Sequence, residues 1–197
     1  MVQERERFLV RFLRANGWAN LDELRAFEAG CSTGYNLRTL LQWGARPEHL
    51  AGIDLDPEAV DYCRAHSAQI TVHCGSAEAI PEETGRFDLS LAFTLFSSVP
   101  DDGISSRIGA ELVRITKPGG FILVYDMRRR NPRNADVHPI GRDDIERWFP
   151  GLPLRARSIT LAPPIARPLG RRLPALYGPV AAFPFLRTHN MYVLRRK

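Results

Sequence analysis

Phe27-Glu28-Ala29-Gly30-Cys31-Ser32-Thr33-Gly34, with Gly52-Ile53-Asp54-Leu55-Asp56-Pro57 after it, is the stretch that decides the fold. It reads as the end of a β-strand, a glycine turn, a helix, and a second strand that stops on an acid. Glycine at 30 and 34 lets the backbone turn tightly and approach a ligand closely, because no Cβ stands in the way. An acid roughly 20 positions beyond the turn, at the tip of the second strand, is where doubly wound α/β folds grip a ribose diol. The layout is therefore that of a nucleoside site. A phosphate loop would need Gly-Lys-Ser/Thr, which the chain lacks. A dinucleotide fingerprint would need glycine at the first, third and sixth positions of the turn, but from Gly30 these hold Gly, Ser32 and Tyr35.

Beyond this core the punctuation alternates strands and helices. Strands are predicted over 24–28, 49–54, 70–73, 87–93, 121–126, 155–161 and 190–194, with helices over 35–43, 57–68, 102–116 and 142–149. Asp56-Pro57 is a helix start, with an acceptor at the N-cap and proline at the first helical position. Lys117-Pro118-Gly119-Gly120 reads as the turn that stops the 102–116 helix. Residues 87–93 are continuously apolar apart from Asp88 and Ser90, as expected of a strand buried on both faces. The expected fold class is α/β, a doubly wound, mostly parallel seven-stranded sheet in a single domain over 1–197. Ligands of such sheets bind at the carboxyl ends of the strands, where the strand order reverses.

The acidic-x-Gly-x-Gly-x-Gly pattern is filled by Glu28, Gly30, Ser32 and Gly34, with Ser32 departing from the middle glycine. It resembles motif I of the class I S-adenosylmethionine-dependent methyltransferases. Cys74-Gly75-Ser76-Ala77-Glu78-Ala79-Ile80-Pro81 stands where that family carries Gly-Asp-Ala before Leu-Pro, with Ser76 in place of the aspartate. Phe87 to Phe93 resembles the fourth-strand motif, and Leu112 to Gly120 the helix and turn before the fifth strand. The resemblance covers residues 24 to 126 and implies a Rossmann-like fold that binds S-adenosyl-L-methionine. It places the cofactor along Glu28, Gly30, Cys31, Ser32, Gly34, Asp54, Leu55, Ser76, Ala77 and Phe93. Asp54 is expected to accept from both ribose hydroxyls, Glu28 to orient the turn or reach the methionine amine, and Leu55 with Ile80 to flank the adenine.

Composition bounds the rest. The 197 residues are 44% hydrophobic and 25% charged, which is ordinary for a folded domain and argues against disorder. Cys31, Cys63 and Cys74 are scattered and odd in number, in no metal-ligand spacing, and fit a reducing compartment; no metal is expected. Residues 1–17 read as an amphipathic helix ending at Gly17 rather than a signal peptide, and no apolar run is long enough to span a bilayer. A cytoplasmic protein is expected on these grounds. The net charge of +5 gathers as arginine in the second half, compatible with an anionic metabolite, nucleic acid or an anionic membrane surface.

Methyl transfer needs a nucleophile held in line with the methyl group, and a hydroxyl nucleophile gains from a general base. Asp126, at the end of the fifth strand and expected to face the cleft, is the first candidate; His138 is the second, and His189 a third. Arg128, Asn131 and Asn134 would line a polar, cationic mouth for an anionic or glycan-like acceptor. Asn-Pro-Pro-Tyr and Pro-Cys, the marks of base-methylating enzymes, are missing. The proline- and arginine-rich residues 162–188 are expected to form a lid on the substrate side, with a membrane contact over 175–186 as an alternative. The reading is a biosynthetic transferase acting on a small metabolite, most plausibly at oxygen, with a homodimer compatible. An RNA methyltransferase and a non-catalytic donor-binding partner remain as alternatives.

Overall fold

The computed structural model describes residues 2–130 and 137–197. The chain opens with α1 (Val2–Ala15), then β1 (Ala26–Ala29), α2 (Tyr35–Gln42), β2 (Leu50–Asp54), α3 (Pro57–His66) and β3 (Thr71–Cys74). It continues with β4 (Phe87–Phe93), α4 (Asp102–Ile115), β5 (Thr116–Met127), α5 (Arg142–Trp148) and β6 (Leu154–Leu161). Helices α6 (Pro163–Arg172) and α7 (Tyr177–Ala181) precede the last strand, β7 (Arg187–Arg195).

The seven strands form one sheet in the order β3-β2-β1-β4-β5-β7-β6. β1 to β5 run parallel, whereas β7 lies antiparallel to both β5 and β6. The sheet is thus mixed, with one antiparallel hairpin at its edge. From β1 the chain winds outward through β2 and β3, then returns to place β4 on the other side of β1. This reversal opens the crevice between β1 and β4, where ligands of such sheets sit.

Apolar spacing explains both layers. Leu9 and Leu13, one helical turn apart on α1, join Leu37 and Leu40 of α2 and Val60 of α3 on one face of the sheet. Ile108, Leu112, Ile145 and Trp148 of α4 and α5 cover the other face, against Ile122 and Val124. Burying each such side chain stabilises by roughly 1.5–3 kcal/mol. Helix α3 starts as its sequence dictates, with Asp56 accepting from the Glu58 N–H at 3.0 Å and proline at the first helical position.

One stretch differs from expectation. Lys117 to Gly120 does not end the element: Thr116 already pairs with Phe87, and the register shifts before Leu89 meets Phe121. Gly119, at φ 80°, supplies the irregularity inside a longer strand. Residues 162–188 carry two helices and 3₁₀ turns. They are tethered to the body through Glu4 of α1, which accepts from the Thr160 and Leu161 amides and from the Tyr177 hydroxyl.

Candidate functional site

Five strand ends meet at the crevice, and the glycine turn shapes its floor. Gly30, Ser32 and Gly34 adopt φ of 68°, 46° and 77°, and both the Gly30 and Cys31 amides donate to the Ile53 carbonyl at the end of β2. A Cβ on Gly30 would stand 3.0 Å from the Leu95 side chain, and one on Gly34 would stand 2.2 Å from Cys63 Sγ. The turn therefore needs glycine for its conformation and for its clearance. Ser32, the departure from the glycine pattern, holds the left-handed conformation and donates its amide to Asp54 Oδ2 at 2.6 Å.

Asp54 binds the turn to the second strand end. Its Oδ1 accepts from the Asp56 amide at 3.0 Å, so the carboxylate supports the local backbone as well as a ligand. An ionised carboxylate offers about four lone-pair sites, so two remain for a ligand. Leu55, beside it, is 72% exposed, an unusual state for a leucine at a strand end. The Gly75 amide donates to the Asp54 carbonyl, which brings Ser76 and Ala77 alongside. Ser76 is engaged locally with Glu78, Ala77 is 7% exposed, and Ile80 lies in the core.

Glu28 is the most perturbed acid of the crevice. It is 1% exposed, Asn36 donates to its Oε1, and its Oε2 is buried with no partner among the described residues. Burial pushes its carboxyl up to about 8, against the opposing pulls of the Asn36 hydrogen bond and the Arg5 charge. Arg5 comes from α1, with its guanidinium carbon 5.9 Å from the Tyr35 ring centroid, 5.3 Å from Phe93 and 5.5 Å from Tyr125. Arg5, Tyr35, Asn36 and Tyr125 were not singled out in the sequence. Asn36 could have been, two residues past Gly34 at the start of the helix; Arg5 carries no local signal.

Asp126 requires a correction. Its side chain is fully buried instead of facing the cleft, with Oδ2 accepting from the Ser97 amide at 3.0 Å and Oδ1 from the Met127 amide at 2.9 Å. Burial raises its pKa, while these bonds and the His138 charge oppose that rise. His138 is half-buried and its amide donates to the Ser97 carbonyl, so the 3₁₀ turn Phe96–Ser98 joins the two. His189 is 6% exposed, stacked on Tyr125 at 4.7 Å, and its pKa is lowered to about 4, chiefly by burial. Arg128 donates to the Pro184 carbonyl at 2.9 Å and so ties the β5 end to the 162–188 segment. Asn131 and Asn134 lie outside the described residues.

A crevice at the strand-order reversal, a glycine turn, and acids at the ends of β1 and β2 define a nucleoside-binding, doubly wound α/β domain. Residues 26–120 match the family described as "Methyltransferase domain". The chain is 27% identical over 134 residues to a ubiquinone biosynthesis O-methyltransferase of Azorhizobium caulinodans, a match covering 66% of this chain and 50% of that one. It is 33% identical over 113 residues to phthiotriol/phenolphthiotriol dimycocerosates methyltransferase 1 of Mycobacterium ulcerans, covering 54% and 39%. The chain thus spans about half the length of the curated relatives it matches. In fold it is similar to geranyl diphosphate C-methyltransferase from Streptomyces coelicolor, with a TM-score of 0.66, 14% identity, and coverage of 98% and 76%. Residues 26–120 are thus a methyltransferase domain, and the chain is similar to the class I S-adenosylmethionine-dependent methyltransferases.

The residues present fit the cofactor of that class. An ammonium group would satisfy the orphaned Glu28 Oε2, and the free lone pairs of Asp54 suit two hydroxyls.

Proposed function

We propose that the protein transfers a methyl group from S-adenosylmethionine to a hydroxyl of a small biosynthetic metabolite. The observation that carries this reading is the pair formed by Glu28 and Arg5. A buried carboxylate with an unpaired oxygen, under the influence of a guanidinium, is complementary to the zwitterion of an amino acid. Glu28 would take the α-ammonium and Arg5 the α-carboxylate, with Asp54 on the ribose and Leu55 against the adenine. The exposed leucine is then accounted for as a surface that the base covers. The relative named as an O-methyltransferase supports oxygen as the acceptor atom and a small molecule as the substrate.

When bound, the cofactor supplies an electrophilic methyl group on a sulfonium. The chain's own contribution is placement, and removal of the hydroxyl proton. Asp126, with both oxygens engaged, acts by positioning: it fixes the Phe96–Ser98 turn, which in turn holds His138. His138 is the general base in this reading. In His138→Gln turnover is expected to fall about 10²- to 10⁴-fold while S-adenosylhomocysteine affinity stays unchanged; native turnover removes the assignment.

The cofactor assignment is tested by calorimetric titration with S-adenosylhomocysteine, with NAD as control. Asp54→Ala is expected to weaken S-adenosylhomocysteine binding about 10- to 150-fold, as loss of charge-assisted hydrogen bonding of about 1.5–3 kcal/mol predicts. The protein should stay folded, with a modest fall in melting temperature from the loss of the Ser32 and Asp56 amide bonds. Affinity equal to the native value, or binding of NAD alone, overturns the reading.

A further inference from the structure

A large groove lies away from the crevice. It runs between α1 and the β6–β7 hairpin, is closed at one end by α7, and has a volume of about 1220 Å³. Its walls are two rows of arginine. Arg7 and Arg11, one helical turn apart on α1, face Arg155 and Arg157, which alternate along the edge strand β6 and so share one face. Among the described residues none of these four side chains has an ion-pair or hydrogen-bond partner. Arg187 and Arg195 line the same groove. The one acid in its lining is Glu4, whose oxygens are already taken by the Thr160 and Leu161 amides and the Tyr177 hydroxyl.

The floor differs from the walls. Val193 pairs in register with Arg155, and with the half-buried Phe8 and Phe12 of α1 it forms an apolar strip between the cationic rows, over the buried Met191 and Ile159. Facing rows of like charge repel, so the fold carries an unbalanced positive potential here that an anion would relieve. Guanidinium groups match phosphate and carboxylate oxygens in geometry as well as charge. A bare phosphate would leave the apolar floor wet, and a neutral chain would leave the arginines unmatched. The groove is also larger than the several-hundred-Å³ pockets typical of compact ligands.

We propose that this groove is a second binding site, separate from the crevice, for a single amphiphile with an oxyanion head and an apolar chain. The arginine rows take the head, and the strip from Phe8 to Val193 takes the chain. The concave shape favours one molecule lying along the hairpin over the surface of a bilayer or a nucleic-acid strand. The proposal stands on the groove alone and does not depend on the cofactor assignment.

The test is calorimetric titration of the full chain at low salt with octyl phosphate below its micelle concentration, alongside octanol and inorganic phosphate. Octyl phosphate is expected to bind at least tenfold more tightly than either, and to weaken as salt is raised. Arg155→Ala with Arg157→Ala is expected to cut that affinity tenfold or more, and Arg11→Ala on the facing helix to weaken it in the same sense. Melting temperature and S-adenosylhomocysteine affinity, each measured on the same variants, should stay at native values, which separates loss of the groove from loss of the fold. Equal affinity for octyl phosphate in native and double-variant protein overturns the proposal. So does inorganic phosphate binding as tightly as octyl phosphate, or binding confined to anionic vesicles or to RNA with none to the monomer.

Discussion

S-adenosylhomocysteine binding is expected to tighten about tenfold for each unit of pH between pH 6 and 8, and to lose that dependence in Glu28→Gln. The cause is the burial of Glu28, which lifts its carboxyl from an ordinary 4.5 to about 8, so that the free protein holds a proton there at neutral pH. A ligand ammonium favours the ionised carboxylate, so binding releases that proton, and one proton released corresponds to tenfold in affinity per pH unit. Above pH 8 the carboxylate is already ionised in the free protein and the affinity should level off. Glutamine keeps the shape but offers no charge. Breaking a buried charge pair costs about 3–5 kcal/mol, so the variant should bind at least about 100-fold more weakly at pH 8.

The same shift has a consequence for the free fold. Because the folded carboxyl is raised above its unfolded value, stability on this account is greatest below about pH 4.5 and declines as pH rises to about 8. At pH 7 the difference is on the order of 3 kcal/mol. Glu28→Gln should therefore melt higher than the native protein at pH 8 while binding S-adenosylhomocysteine less well. That opposition distinguishes a ligand-binding acid from a structural one. A variant that loses both stability and affinity would falsify the role, as would native affinity that is flat from pH 6 to 8.

The parts of this structure legible in the sequence are those set by local chemistry. The Asp56-Pro57 helix start, the glycine turn and the apolar strand at Phe87–Phe93 each depend on a few neighbouring residues, and each forms at the expected place. Asp126 was misread through its face of the strand. It follows Tyr125 directly, so it shares the side of Ile122 and Val124, which is packed under α4 and α5, whereas Tyr125 faces Phe93 and Arg5. The two-residue alternation carried that information. Arg5 had no such signal, because its place over Phe93 depends on how Leu9 and Leu13 seat α1 on the sheet. The arginine groove was equally hidden: the sequence showed a basic second half, but only the pairing of β6 with β7 and the position of α1 bring the rows face to face.

Gly34→Ala is expected to lower stability by about 2–6 kcal/mol and to abolish most cofactor affinity with it. Two effects add. Backbone at φ 77° is costly for alanine, about 1–3 kcal/mol for a residue held in a sparsely populated region. The new Cβ would also lie 2.2 Å from Sγ of Cys63, a fully buried residue on α3, and overpacking of this sort costs typically 1–3 kcal/mol. At about 2–4 °C per kcal/mol for a chain of this size, the melting temperature should fall by about 4–24 °C. Cys63→Ala in the Gly34→Ala background removes the clash but not the backbone strain, so it should recover part of the lost stability and leave the affinity low. The two effects separate because the thiol touches the turn from the helix side, whereas in the proposed function the ligand would approach Gly30, Ser32 and Asp54 from the strand ends. Native stability and native S-adenosylhomocysteine affinity in Gly34→Ala would mean that the turn does not hold the conformation on which the crevice is built.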